Sequence, residues 1–332
     1  MKHTEDNTET INYKVSVAMA AYNGAAHIAE QLESILNQTR RPDEIIICDD
    51  ASKDDTTEVA SAILKEDGIS YCIIKHAENG GVLRGFTDAT SACTGDVIFF
   101  CDQDDFWQPE KVESVMEVFE ENPDCDLVFA DASLTDDKLN KTGHTLWESI
   151  DFSPAGDINN EKLVTEMLRR NIFTGMSMAV KKELLERTKL SCPDMLHDEA
   201  IGWEALRSAK VLPLNRELVL YRQHAGNAVG AGKTRKFEGF SAMNSAVRAS
   251  NTRTAGKFAF VKKLYKNRPG YAGIKRAGSF YKWRAGIVGG SKLKNFVIYL
   301  KCLTSGDYGK YTSKTDRAAL KDLACIITSR KG

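Results

Sequence analysis

The first half of the chain repeats one pattern: a short β-rich apolar run, then a segment whose apolar residues recur at helical spacing. The runs are VSVAMAAY (15–22), EIIICDD (44–50), ISYCIIKH (69–76), DVIFFCD (96–102) and DLVFAD (126–131). Between them stand AAHIAEQLESILNQ, DDTTEVASAILKE, the stretch from Gly81 to Cys93, and PEKVESVMEVFEE. Asp54 or Asp55 can cap the second of these helices, and Pro109 opens the fourth, where its missing N–H costs nothing. Strands apolar along their whole length are covered on both faces. The pattern therefore predicts five parallel strands in a doubly wound, mostly parallel α/β sheet.

Such sheets bind ligands beyond the carboxyl ends of their strands. At those ends the sequence puts Ala21-Tyr22-Asn23-Gly24, Asp49-Asp50, Asn79-Gly80-Gly81 and Asp102-Gln103-Asp104-Asp105. Asp102 and Asp104, held at a strand end, repel each other unless a divalent cation sits between them; oxygen ligands favour Mg2+ or Mn2+, with open positions left for a diphosphate. A solvated acidic loop has the same D-x-D spelling, and the three other polar strand ends favour the metal reading. Asp49-Asp50 reads either as capping chemistry for the next helix or as an acceptor for a base N–H or ribose hydroxyl.

After about residue 155 the pattern changes. A helix is expected over 161–170, an apolar segment IFTGMSMAV over 172–180, and a helix from Lys181. His197-Asp198-Glu199 opens another helix, and VLPL with ELVLYRQH reads as a hairpin. Two nucleotide-binding decoys fail. GNAVGAGKT (226–234) has its first glycine one residue too far from Gly232 for a phosphate-binding loop, and no GxGxxG follows the first strand.

The pieces AAYNG, DDASKDDT, NGGVLRGF, CDQDDFWQPEK, FTGMSMAV, LHDEAIGWEAL and LYRQHAGN, in that order over residues 15 to about 230, resemble the family 2 inverting glycosyltransferases with the nucleotide-diphospho-sugar transferase (GT-A) fold. DQDDFW and YRQH look like the rhamnosyltransferase-type branch. The resemblance implies that Ala21 and Tyr22 flank the nucleotide base, with Asn23 and Gln103 on the same donor side. It implies that Asp50, with Asp49 beside it, binds base or ribose, and that Asn79 and Arg84 lie on the donor-side loop. Asp102 would face the ribose and the metal-bound diphosphate, Asp104 would be the closest metal ligand, and Asp105 a supporting or capping residue. Asp198 matches the catalytic-base position, with Glu199 its rival. A carboxylate there suits inverting transfer, because the attacking acceptor hydroxyl must lose its proton. His224 would complete the metal shell or donate to the diphosphate, and Arg222 is a further phosphate contact. The implied reaction transfers a hexosyl group, rhamnosyl by the branch, from a nucleotide-diphosphate sugar to a growing cell-surface polysaccharide or lipid-linked glycan. An aspartyl phosphotransferase would carry its D-x-D after the first strand instead of the fourth. A non-catalytic membrane or nucleic-acid adaptor would not need the carboxylates.

Charge divides the chain where the resemblance ends. Residues 231–332 hold 23 Lys and Arg against 4 Asp and Glu, a balance of +19, while the chain as a whole is at −1. Three segments are expected: an extension over 1–14, a GT-A domain over 15–230 with a donor half (15–135) and an acceptor half (136–230), and a basic, mainly helical region over 231–332. Lys and Arg there suit an anionic membrane surface, with Trp283, Phe296 and Tyr299 entering the interface; nucleic acid is not expected as a partner. The amino terminus lacks the features of a secretory signal, no run of eighteen apolar residues occurs, and the eight cysteines show no CxxC pair, so reduced thiols and a cytoplasmic place on the inner face of the membrane are expected.

Overall fold

The computed structural model describes residues 12–154, 156, 158–188, 194–224, 239–287 and 290–328. Alternating strands and helices open the chain: β1 (Val15–Ala21), α1 (Ile28–Leu36), β2 (Glu44–Asp49), α2 (Thr56–Asp67), β3 (Ser70–Lys75), α3 (Val82–Ala92) and β4 (Val97–Asp102). Short β5 (Phe106–Trp107), α4 (Lys111–Glu121), β6 (Cys125–Thr135), β7 (Lys141–Thr145), α5 (Leu146–Ser149) and α6 (Asn160–Met167) follow. Then come β8 (Met178–Lys181), α7 (Lys182–Arg187), α8 (His197–Ser208) and β9 (Lys210–Arg222). The basic region is helical: α9 (Gly239–Leu264), α10 (Tyr271–Gly286), α11 (Lys292–Thr304), α12 (Asp307–Tyr311) and α13 (Thr315–Thr328).

The sheet runs β3-β2-β1-β4-β8-β6-β9-β5, with β7 against β6. β3, β2, β1 and β4 form the expected parallel block, and the register sets Ala21 beside Asp49 and Ala20 beside Asp102. That register is what brings three polar strand ends to one rim. β1, β2 and β4 are buried almost throughout because α1, α2 and α3 cover both faces.

Two expectations need correction. The fifth apolar run does not extend the parallel block: β8 inserts between β4 and β6 and is antiparallel to both. VLPL and ELVLYRQH form one long strand instead of a hairpin, since β9 pairs with β6 in parallel along its length and absorbs the Asn215 region through register shifts. Position 215 sits in an exposed bend of that strand, so the polar residues there are a bulge on one ladder and not a chain reversal.

The basic helices pack onto the sheet domain through aromatic residues. Trp203 of α8 meets Tyr265 edge-on at 5.6 Å, and the Tyr265 hydroxyl donates to the Trp203 carbonyl at 3.1 Å. Deeper in the bundle Arg284 donates to both carboxylate oxygens of Asp322 at 2.6 and 3.1 Å, and the Tyr308 hydroxyl donates to the same group at 2.8 Å. Tyr299 and Trp283, expected at a membrane interface, pack into this bundle; Tyr299 shares its inward face with Asn295 and Cys302, one turn before and one turn after it. The described cysteines are free thiols, buried except for Cys72; Cys192, the 226–234 glycine-rich segment, Phe237 and the 231 boundary lie outside the described residues.

Candidate active site

The loops after β1 and β2 are laced together before any ligand is considered. Asn23 N–H donates to Ser52 Oγ at 2.8 Å, Asn23 Oδ1 accepts from Lys53 N–H at 2.9 Å, and Gly24 N–H donates to Thr56 Oγ1 at 2.8 Å. Asn23 and Ala51 hold left-handed backbone at φ 48° and 62°, a conformation Asn tolerates and Ala adopts only under constraint. Gln103 fixes the β1 and β4 ends to each other: its amide accepts from Tyr22 N–H at 2.8 Å and donates to the Tyr22 carbonyl at 3.0 Å. A Cβ at Gly24 would stand 2.0 Å from Gln103 Oε1 and would displace the Gln103 amide from its place against Tyr22. The Tyr22 ring is left 44% exposed at the rim, while Ala21 is buried with its carbonyl accepting from Asp50 N–H.

Asp49 and Asp50 have separate tasks. Asp50 accepts from the backbone N–H of Gly80 and Gly81 at 2.8 and 2.7 Å and pairs with His76 Nδ1 at 2.8 Å. Burial works against its charge, yet these hydrogen bonds hold its carboxyl below the usual range. It is an anchor for the loop that carries Asn79, which is exposed, and Arg84, whose side chain lies over Gly80. Asp49 accepts from Ser52 N–H at 3.0 Å through Oδ2, while its buried Oδ1 has no hydrogen-bond partner among the described residues. A buried acceptor left in that state costs about 1–3 kcal/mol and marks a place where a donor is missing.

The carboxylates after β4 form the electrostatic centre. Burial pushes Asp102 up to about 7, with Asp104 and Asp198 adding to the rise and Lys111 opposing it. Asp104 Oδ2 lies 2.8 Å from His224 Nε2. Asp105 is fully buried and held well above the ordinary carboxylate range by burial and by Asp102 and Asp104; its Oδ1 accepts from Arg222 N–H at 3.0 Å. Its bond to the Arg222 backbone ties the turn after β4 to the end of β9. Lys111, buried beneath the cluster, donates to the Met176 carbonyl at 2.7 Å and lies 3.6 Å over the Trp107 ring; burial lowers its pKa to about 7.

Arg222 faces inward. It is 3% exposed, and its guanidinium donates to the carbonyls of Asp104 and Asp137 and to Glu30. These bonds make it the brace of the carboxylate turn. The His27 ring lies 5.2 Å from that of His224, tilted to it by 33°, and burial followed by the fields of Arg222 and His224 lowers its pKa.

Asp198, in the first turn of α8, adds to the rise of the Asp102 carboxyl. Burial, with Glu199 adding, raises the Asp198 carboxyl itself to about 7, against a hydrogen bond from Glu199 N–H at 2.6 Å. Glu199 is tied to Lys257 of α9, so of the two candidate bases it is the one already paired with a cation. His197 packs between Phe86 and Phe100 at ring distances of 4.1 and 5.2 Å, and burial lowers its pKa to about 3. Sequence reading passed over Lys111, His76, His27 and Lys257. Lys111 alone carried a usable signal, standing four residues before Val115 on the apolar face of α4.

The donor set suits a divalent ion. Two carboxylates whose mutual repulsion raises a pKa, with an imidazole nitrogen on one of them, offer oxygen and nitrogen ligands of the kind Mn2+ or Mg2+ accept.

A model of glycosyl transferase family 2 matches residues 16–187. An uncharacterised glycosyltransferase of Haemophilus influenzae is 30% identical over 173 residues, covering 51% of this chain and 53% of that protein. The chain spans between a fifth and about half the length of the first curated relatives it matches. Among solved structures, TarS 1–349 from S. aureus in complex with UDP-GlcNAc superposes with a TM-score of 0.59 at 16% identity, covering 82% of this chain and 72% of that one. The mannosyltransferase PcManGT from Pyrobaculum calidifontis, in complex with GDP-Man and Mn2+, gives 0.54 at 16% identity, covering 96% and 87%. At these identities the likeness speaks for the fold alone: a mostly parallel GT-A sheet carrying a helical C-terminal region.

Proposed function

The chain belongs to glycosyl transferase family 2, and from that premise we propose that it is a metal-dependent, inverting hexosyltransferase using a nucleotide-diphosphate sugar, rhamnosyl by its DQDDFW and YRQH motifs, to extend a cell-surface or lipid-linked glycan. The observation that carries the reading is that two carboxyls from separate elements, Asp104 after β4 and Asp198 on α8, both add to the rise of the buried Asp102 carboxyl.

In this reading residues 15–135 bind the donor and 136–230 the acceptor. The exposed Tyr22 ring is a platform for the base, and Asp49 Oδ1 accepts from a base N–H or ribose hydroxyl. Gln103 and Asp50 shape the pocket by holding the β1 end and the Gly80-Gly81 loop. Asp102, Asp104 and His224 would hold Mn2+ or Mg2+, which when bound neutralises charge on the departing diphosphate. Asp198 takes the proton of the acceptor hydroxyl, and its raised pKa makes it a better base near neutral pH than an ordinary carboxylate. Glu199 is paired with Lys257, which leaves Asp198 as the carboxylate without a cation partner of its own among the described residues.

The full chain incubated with a panel of nucleotide-diphosphate sugars and Mn2+ is expected to release nucleotide diphosphate from one donor class. Failure to bind or cleave any of them, with either metal, removes the reading.

A further inference from the structure

The basic helices carry one surface that the bundle does not cover. In α11, Leu293, Phe296, Val297, Leu300 and Leu303 are between 42% and 76% exposed, on a helix of 13 residues. At about 100° per residue these five fall within an arc of roughly 120°. The inward side is made by Asn295, Tyr299 and Cys302, so the stripe points away from the protein. On the same wheel Lys294 and Lys301 border one edge of the stripe and Lys292 the other. Lys292 Nζ donates to the Ile327 carbonyl at 2.8 Å, which brings the end of α13 against the start of α11; Ile327 is itself 63% exposed.

We propose that α11 lies in the plane of an anionic bilayer, with the leucine, phenylalanine and valine side chains below the headgroups and the flanking lysines on the lipid phosphates. Charge selects this occupant. The region from 231 to 332 carries +19, which an anionic surface answers. A second copy meeting this face about a two-fold axis would set the lysine borders against each other instead. Among the described residues no helix is long and apolar enough to cross a membrane, which agrees with a helix that rests in the interface. The inference corrects the earlier choice of anchors: Trp283 and Tyr299 are inward, and Phe296 belongs to the outer stripe. It rests on the helical region alone and not on the transferase reading, which donor cleavage by the same preparations tests separately.

The test is flotation of the full chain with vesicles of phosphatidylcholine alone or with roughly a quarter phosphatidylglycerol, at physiological salt. Partitioning to the anionic vesicles should exceed that to neutral ones by about tenfold or more, and the triple variant Leu293→Ser, Val297→Ser, Leu300→Ser should lose about as much. Lys294→Glu with Lys301→Glu should abolish the preference for the anionic vesicles. Equal flotation of wild type and triple variant overturns the proposal. So does a wild-type dimer in sedimentation velocity that the triple variant dissolves. A further readout does not depend on how the triple variant folds: the added fluorescence of Val297→Trp should be quenched by brominated phosphatidylglycerol vesicles, and unquenched emission also overturns it.

Discussion

The rim of the sheet and the core of the helical bundle both bury carboxylates, and they treat them in opposite ways. In the bundle, burial raises the Asp322 carboxyl as well, but two hydrogen bonds from Arg284 and one from Tyr308 oppose the rise and occupy its oxygens. At the rim, Asp102 and Asp198 are both driven to about 7 by burial and by other carboxylates, and Asp49 keeps an unpartnered oxygen. A charge that the protein answers itself is architecture; carboxylates gathered without an answer await a ligand. The two regions meet at Lys257, which reaches from α9 to Glu199 beside the proposed base.

The comparison breaks or sharpens by substitution. The largest effect is expected from Asp198→Asn, which keeps shape and removes the base: transfer should fall by about a thousandfold with nucleotide affinity unchanged. Equal loss of nucleotide affinity would make Asp198 part of the binding site. Arg284→Met strands a buried Asp322 and should cost about 3–5 kcal/mol in denaturant unfolding, with nucleotide affinity of the folded protein intact. A matching fall in affinity would mean that the two regions are not separable. Asp49→Ala should weaken nucleotide binding by about tenfold, seen by calorimetry, because it removes the acceptor that has no partner in the protein.

The smallest effect concerns pH. Asp198, with its pKa raised to about 7, is protonated below that value and cannot accept a proton, so turnover should rise as pH increases through it. Lys257 opposes the rise, so Lys257→Met should move the limb to higher pH without changing its plateau by much. An unmoved limb would remove Lys257 from the electrostatics of the base.

The parallel block and its rim were legible because each rests on local signals: apolar runs bounded by helical spacing, and acidic residues at the run ends. The insertion of β8 was not, because antiparallel pairing of Met178–Lys181 with two strands depends on partners 49 to 84 residues away. The resemblance pointed to Arg222 and Gln103 as donor-side residues and said nothing of what else they hold. Their actual bonds, to Glu30 across the chain and to the Tyr22 backbone, are set by tertiary placement. The α11 stripe was hidden because apolar residues stand on both sides of the helix with lysines between them, and spacing does not say which side the bundle will cover.

The central claim is that the carboxylates after β4 hold a divalent ion on which a nucleotide diphosphate depends. Calorimetric titration of UDP, GDP and dTDP, with and without Mn2+, into wild type and Asp104→Ala tests it most directly. Wild type should bind one nucleotide only with the metal, and the variant should show the weak, metal-independent residue of that binding. Equal, metal-insensitive affinity in both proteins would contradict the account.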